Sequence, residues 1–490
     1  MEIFKISDNK IIIIGLLVFV VTAVFSHGYF HPDEHYQILE FAGYKLGLSP
    51  ASDLPWEFDA KIRPAIQPAL AYLVIKTMNI FSIFDPFTYA LVLRLITSIL
   101  FWLVITNLCL YFLNDFKSAG GKKMYLLMNY FLWFIPFISV RFSSEAYSAI
   151  SFFGAVYLIL KSKELTEVKK NLNLLFAGLL LGFSFYFRFQ MGFAIIGLGL
   201  WLLFIDRIKL PKLSLIILFG VLALYCSYLI DQWFYQTPVL TPYNYFYSNI
   251  IQGKAASFGT EPWWYYFTSY INNGFPPSSF ILLILFFLGI YLKPKSVMTW
   301  VVIPFIIGHL LVSHKELRFM FPITIGFLYL SSISLDHFLF GERKTKGLLM
   351  LLKILMILNI PPLIFNMYTP PQEELLAIKE INAMGKSKPS NIICIEKDVY
   401  HMSLHLNFYK SPKIKSLVFK DIQTAQEFIH QNQPLEFLFL ERKFLNDSNF
   451  EGYKKELVYC FFPKWIKLFD FGGWLERSNG WKVEKFKRIP

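Results

Sequence analysis

Three carboxylates and two imidazoles fall within the ten residues 31–40 of the stretch FHPDEHYQILE (30–40): His31, Asp33, Glu34, His35 and Glu40. Adjacent carboxylates at 33 and 34 suit acid–base work, because two interacting acids titrate in separate steps and one of them can be held near a useful pKa. A carboxylate so tuned can take the proton of an attacking hydroxyl. The same residues admit a plainer reading as a helix cap, since Pro32 fits a first helical turn and Asp33 and Glu34 complement the positive end of the helix dipole. His31 and His35 beside the two acids would also suit a divalent ion, although the ligand set is not closed.

A second group is basic. SHKELRFMFP (313–322) brings together His314, Lys315, Glu316 and Arg318, while Arg141 lies four residues before Glu145 and Arg188 two before Gln190. Each alone could be a long side chain reaching for the membrane interface. Together they form a ring of cations suited to an anionic substrate, most simply a lipid phosphate, which Arg can grip with two parallel hydrogen bonds. The stretch PYNYFYSNIIQGKAASFGTEPWWYYFTSYINNGFPP (242–277) adds Trp263 and Trp264 among turn-forming Gly253, Gly259, Pro262 and Pro276. Such aromatics serve equally as an interfacial belt or as a sugar-binding surface.

The elements that position these residues follow from composition. The chain of 490 residues is 55% hydrophobic and 17% charged, with mean hydropathy +0.46, against the ~25% charge of soluble domains. This is the composition of a membrane protein. With 19% aromatics it is neither disordered nor collagen-like, and four cysteines make no disulfide framework. Runs near the ~20 residues that a hydrocarbon core requires occur at 11–27, 88–113, 124–140, 146–160, 173–187, 190–205, 213–232, 279–292, 299–312, 319–336 and 347–364. Lys5 and Lys10, then the groups at 117–123, 161–170, 207–212, 293–295 and 343–346, flank them on alternate sides, which places the N-terminus in the cytoplasm under the positive-inside rule. Much of the net charge of +13 is thereby a topology signal, and a nucleic-acid partner loses its support. Cleavage of the first run as a signal peptide is disfavoured by the lack of a small-x-small site.

On this topology the long loops 28–87 and 233–278 face outside, with 66–81 read as an amphipathic helix at the interface. Residues 365–490 read as an extracytoplasmic α/β domain, with strands at 391–398 and 435–443 and a helix at 424–432. Cys394 and Cys460 share that domain and would be able to pair if the compartment oxidises.

FHPDEHYQILE followed by LPWEFDAKIRPAIQP (54–68) resembles the first outer loop of glycosyltransferase family 22, the dolichyl-phosphate-mannose-dependent mannosyltransferases of GPI-anchor and N-glycan assembly. His31, Pro32, Asp33, Glu34, Gln37 and Glu40 match the HPDE-x-x-Q-x-x-E run, and Trp56, Glu57, Ile62 and Arg63 approximate the pattern that follows. The loop at 242–277 is similar to the family's second long outer loop, with Glu261 where the family usually has His, and LVSHKELRFMFPI matches its HKE-x-RF-x-x-P motif. The resemblance, which runs from about residue 28 to 335, implies a GT-C fold; with the apolar runs it makes 1–364 an all-α polytopic transmembrane catalytic domain, and the soluble domain after it lies outside the resemblance. It implies an inverting transfer of mannose from a polyprenyl-phosphate-linked donor to a glycolipid or glycan acceptor at the outer face of the lipid bilayer. Asp33 is then the expected base, with Glu34 as orienting partner or alternate base. Arg318 leads the expected phosphate grip, with His314 and Lys315 close behind and Arg63, Arg141 and Arg188 as further candidates. His31, Gln37, Glu40, Trp56, Glu57, Glu316, Trp263 and Trp264 are expected around the acceptor groove. No metal cofactor is required, because these cations can neutralise a monophosphate. A polytopic lipid or sugar flippase is the competing reading, and it predicts charges near the bilayer midplane rather than gathered at one face.

Overall fold

The computed structural model describes residues 6–339, 346–387, 390–478 and 480–489; Lys5 and the basic pair Arg343 and Lys344 lie outside them. Among the described residues, six helices are long and apolar enough to cross a membrane: Asp8–Phe25, Pro86–Asp115, Glu167–Phe187, Leu210–Tyr235, Leu317–Phe338 and Leu349–Tyr368. Three of the eleven expected spans are shorter helices, Met191–Phe204, Ser278–Leu292 and Val297–Leu311. At 1.5 Å per residue these reach only about 21–23 Å of a ~30 Å hydrocarbon core. Segment 146–160 lies within the helix Ser144–Ser162. Segment 124–140 is divided into Ala119–Phe131 and Ile135–Ser139, the second with Pro136 in its first turn. At this break Asn359 takes over the freed backbone groups, its Oδ1 accepting from Trp133 N at 2.9 Å and its Nδ2 donating to Phe131 O at 2.7 Å. Each of the eleven expected runs thus falls largely in helix, several of them as short as the runs themselves, while six helices among the described residues have the length and composition of a span.

The chain divides into two compact units. The helical unit comprises Met1–Ser26, Trp56–Leu73 and Leu91–Thr369. Its core is apolar and tightly packed around Phe152, Phe153, Met298, Phe305 and Leu328. Glycines let two of its helices meet backbone to backbone: a Cβ on Gly178 would stand 2.4 Å from Ile216 O, and one on Gly182 would stand 2.5 Å from Gly220 O. This is the small-residue spacing that brings membrane helices close.

The mixed unit comprises His27–Pro55, Val74–Ala90 and Pro370–Pro490. Its sheet contains β1 (Ser390–Ile395), β2 (Ile414–Phe419), β3 (Glu436–Glu441), β4 (Tyr453–Cys460) and β5 (Lys482–Arg488), in the order β2-β1-β3-β5-β4. β1 runs parallel to β2 and β3, while β5 is antiparallel to β3 and β4. Between β2 and β3 the helix Ile422–Asn432 starts from a reciprocal cap of Asp421 and Thr424. Phe437, Phe439, Phe450 and Phe486 fill one face together with Ile393 and Ile429. Cys394 in β1 and Cys460 at the end of β4 are both free thiols. Two strands lie between theirs, a separation of about 14 Å at ~4.8 Å per step, and a disulfide closes only when the Cα atoms are within ~7 Å. The pairing considered from sequence is therefore not made.

The expected boundary near 364/365 lies close to the last crossing between units, but the mixed unit also takes in the acidic loop. The reason is a set of long-range bonds: Tyr36 OH donates to Leu404 O at 3.2 Å, Asn407 Nδ2 donates to Asp53 Oδ2 at 2.9 Å, and Phe408 N donates to Glu40 Oε1 at 3.0 Å.

Candidate active site

In the helical unit, helix ends bring the cations together. Glu145 occupies the first turn of the helix Ser144–Ser162, Arg188 ends the helix Glu167–Phe187, and Arg318 lies in the 3₁₀ segment Leu317–Ile323, whose Pro322 suits a tight irregular turn. All three side chains are buried. Glu145 Oε1 accepts from Arg188 Nη1 at 2.8 Å and from Arg318 Nη1 at 3.1 Å. Glu316 takes the fork of Arg318, through Nε at 2.5 Å and Nη2 at 3.2 Å, and its Oε1 lies 3.0 Å from His314 Nε2. The fork that sequence reasoning reserved for phosphate is thus already committed to Glu316. Arg188 differs: besides Glu145 its Nη1 reaches Ser144 Oγ at 3.2 Å, yet its buried Nε has no hydrogen-bond partner among the described residues. Its guanidinium stacks 4.7 Å from the Phe319 ring centroid.

Lys315 donates to Glu261 O at 3.0 Å and Val312 O at 2.5 Å, joining the HKE segment to the second long loop. Burial lowers its ammonium pKa. Glu261, the departure from the family's usual His, acts here through its backbone. Arg141 is buried, bonds Ser26 Oγ and lies 4.9 Å from the Phe137 ring centroid. Arg188 and Arg318 are balanced by Glu145 and Glu316, and the buried Arg141 and Lys315, four residues before Glu145 and next to Glu316 in the chain, bring two further positive charges, so an anion is the charge type the region favours.

Sequence reading missed the residue that anchors the surrounding loops. Asp231, inside the run expected as a span at 213–232, is wholly buried. It accepts from Ala65 N at 2.7 Å, Tyr186 OH at 2.9 Å and Thr241 Oγ1 at 2.6 Å. One carboxylate thereby ties the first loop, the helix Glu167–Phe187 and the start of the second loop. A lone acid near the end of an apolar run was the available signal. Beside it Arg63 meets Glu57 at 3.5 Å. Trp56 stacks on Phe258, with ring centroids 6.2 Å apart, and Lys254 Nζ lies 4.9 Å from the Trp56 ring. Trp263 and Trp264 are exposed and pack edge to face.

In the mixed unit His31 caps the turn Pro32–Glu34, its Nδ1 accepting from Asp33 N at 3.3 Å and lying 3.5 Å from Asp33 Oδ1. Asp33 and Glu34 are half-buried, and Glu34 Oε2 accepts from Phe30 N at 3.1 Å. The cap reading and the chemical reading thus coexist in the same turn. The chain then widens into a π-helical turn, His35–Leu39, in which Gln37 is buried. Glu40 does not face a groove. It is fully buried, accepting from Ser49 Oγ at 2.5 Å and from Phe408 N, with His35 Nε2 at 2.8 Å. His35 is stacked between Tyr29 and Tyr409. It is turned onto Glu40 rather than toward a shared ion with His31, and among the described residues no three His, Cys, Asp or Glu side chains group as metal ligands.

The chain is 27% identical over 327 residues to the mannosyltransferase APTG1 of Arabidopsis thaliana, covering 65% of this chain and 57% of that protein. It is 28% identical over 308 residues to GPI mannosyltransferase 3 of Candida albicans, covering 62% and 59% respectively. It therefore spans under two thirds of the length of these relatives. The crystal structure of ArnT from Cupriavidus metallidurans, bound to undecaprenyl phosphate, shares the fold with TM-score 0.54, 10% identity and 97% of both chains covered. The model of the Alg9-like mannosyltransferase family matches residues 11–406, which takes in the HPDE turn, both long loops and the HKE segment, and the chain belongs to that family.

Proposed function

We propose that the protein is an inverting mannosyltransferase that moves mannose from a polyprenyl-phosphate-mannose donor to a glycolipid or glycan acceptor at the extracytoplasmic face of the membrane, with its N-terminus in the cytoplasm and eleven helical passes. The observation that carries this reading is the buried cationic cluster around Glu145, set in a chain of the Alg9-like family. In the reaction, the acceptor oxygen forms a bond to the anomeric carbon as the bond from that carbon to the phosphate oxygen breaks. The electron pair leaves on the phosphate, and the acceptor proton passes to Asp33, with Glu34 orienting the acid or replacing it.

The growing charge on the phosphate needs fixed donors. Arg188 takes first place in that role because its buried Nε is without a hydrogen-bond partner among the described residues, with Lys315 and Arg141 as further donors. Arg318 and His314 act through Glu316 as the positive field behind the leaving group, and Arg63 supports the first loop. Trp56, Glu57, Trp263, Trp264, His31 and Gln37 belong to the acceptor side. The cations neutralise a monophosphate without a metal cofactor. The test is to reconstitute the full chain in proteoliposomes with radiolabelled polyprenyl-phosphate-mannose and a panel of glycolipid acceptors. Covalent transfer that survives EDTA is expected. Movement of the donor across the bilayer without covalent product would overturn the reading.

A further inference from the structure

After β4 the chain runs PKWIKLFDFGG (463–473), of which Lys464–Phe469 is a 3₁₀-helix. With three residues per turn, side chains three apart share a row. Trp465 and Leu468 therefore lie on one row, and Lys464 and Lys467 on the next. The apolar row faces outward: Trp465 is 59% exposed, Leu468 78%, and Phe471, just past the helix, 78%. Phe469 joins them, its ring 5.8 Å from Trp465 and 6.2 Å from Phe471.

This display is built rather than frayed. Asp470 Oδ1 accepts from Leu475 N at 2.9 Å, Trp474 Nε1 donates to Phe469 O at 2.9 Å, and Arg477 Nη1 donates to Gly472 O at 3.0 Å. Gly472 and Gly473 take left-handed angles, φ 75° and 66°, that suit glycine. The acid of the segment is thus turned inward as a cap, while Lys464 and Lys467 remain exposed beside the aromatic row.

We propose that Lys464–Phe471 is a membrane-surface anchor, in which Trp465, Leu468, Phe469 and Phe471 enter the headgroup region of the bilayer and Lys464 and Lys467 meet anionic lipid headgroups. Trp, Phe and Leu on one side with Lys beside them is the side-chain set of interfacial segments, and each such basic residue is drawn to an anionic surface. The bilayer is also the surface always at hand. The chain passes into or out of the mixed unit directly after the helix Asp8–Phe25, within the helix Pro86–Phe112 and directly after the helix Lys346–Tyr368. Tethering of that kind makes the encounter intramolecular. The turn between the helices Ile66–Ile80 and Pro86–Phe112, in the same unit, likewise exposes Ile80, Phe81 and Phe84. The anchor is independent of the transfer chemistry.

The experiment uses the full chain in nanodiscs, with Cys226 and Cys460 changed to Ser and an environment-sensitive fluorophore on Leu468→Cys or, as reference, on Glu427→Cys of the exposed helix Ile422–Asn432. Nitroxide lipids labelled near the headgroup should quench the label at 468 at least about threefold more than the label at 427. The difference should shrink in zwitterionic bilayers, and in anionic ones with the Lys464→Glu/Lys467→Glu pair. Equal quenching at the two sites would overturn the proposal. So would a label at 468 that is shielded from aqueous iodide but untouched by nitroxide lipids, because that result assigns the surface to a protein partner.

Discussion

Arg188→Ala tests the cationic cluster most directly. Arg188 gives Glu145 a bond at 2.8 Å, but Glu145 keeps Arg318 at 3.1 Å, so the substitution strands no buried anion. Removing one partner of a buried pair ordinarily costs ~3–5 kcal/mol. With the second guanidinium still in place, a loss of about 1–2 kcal/mol in stability is expected, including the stacking on Phe319. The effect on transfer should be larger in kind. One charge-assisted hydrogen bond to the leaving phosphate is worth about 1.5–3 kcal/mol, and at 1.36 kcal/mol per tenfold this is roughly a 10- to 150-fold fall in kcat/KM for the donor. Arg188→Lys keeps the charge beside Glu145 and loses Nε, so it should fall between. The assay is initial-rate transfer from radiolabelled polyprenyl-phosphate-mannose in proteoliposomes, with thermal unfolding measured alongside. A kcat/KM for Arg188→Ala within about twofold of the unchanged chain would refute the reasoning, since removing a preorganised donor to developing charge costs more than that.

Asp33→Asn should lower turnover by about 10²–10⁴-fold, the usual range for a lost general base, while the thermal midpoint stays put because the side chain is only half-buried; near-normal turnover removes Asp33 from the role. Glu40→Ala leaves the Phe408 N–H and Ser49 hydroxyl unpaired, at about 1–3 kcal/mol for each buried group, and should show as faster proteolysis within 27–55 and 400–410 by mass-mapped digestion. In the mixed unit, burial and then the neighbouring Glu374 push the Glu373 carboxyl up to about 7. A folded pKa raised above the unfolded value stabilises at low pH, so this contribution is full below about 4.5 and fades as pH rises through 7. After discounting for solvent screening it amounts to about 1–2 kcal/mol. Unfolding midpoints at pH 5 and pH 8 should therefore converge in Glu373→Gln, and a pH dependence equal to that of the unchanged chain would contradict the assignment.

Local patterns carried much of the architecture. The apolar runs, the HPDE turn with its Pro32 and the helix after Asp421 are all encoded within a few residues, and each formed close to its expected place. What depended on distant partners was hidden. Glu40 reads as one more outer carboxylate until Phe408, far along the chain, supplies its N–H. Asp231 reads as an interruption in a span until Ala65 and Thr241 arrive. Arg318 carries the right chemistry for phosphate, but Glu316, two residues away, takes its fork, a competition that spacing suggests and only geometry decides. The expected strands at 391–398 and 435–443 appear as β1 and β3, because these are buried, nearly continuous apolar runs. β4 and β5 escaped notice because their lysines break the alternation that marks a strand.

The glycine seam at Gly178 and Gly182 has a mechanical meaning. Backbones that touch without intervening side chains have no slack to absorb a displacement, so the helices Glu167–Phe187 and Leu210–Tyr235 move as a single stiff lever. Asp231 sits one turn before the far end of that lever, about 32 Å of helix from Leu210. A tilt imposed at its Leu210 end is passed to the knot holding Ala65, Tyr186 and Thr241, and the backbone at Ala65 and the start of the second loop at Thr241 would follow it.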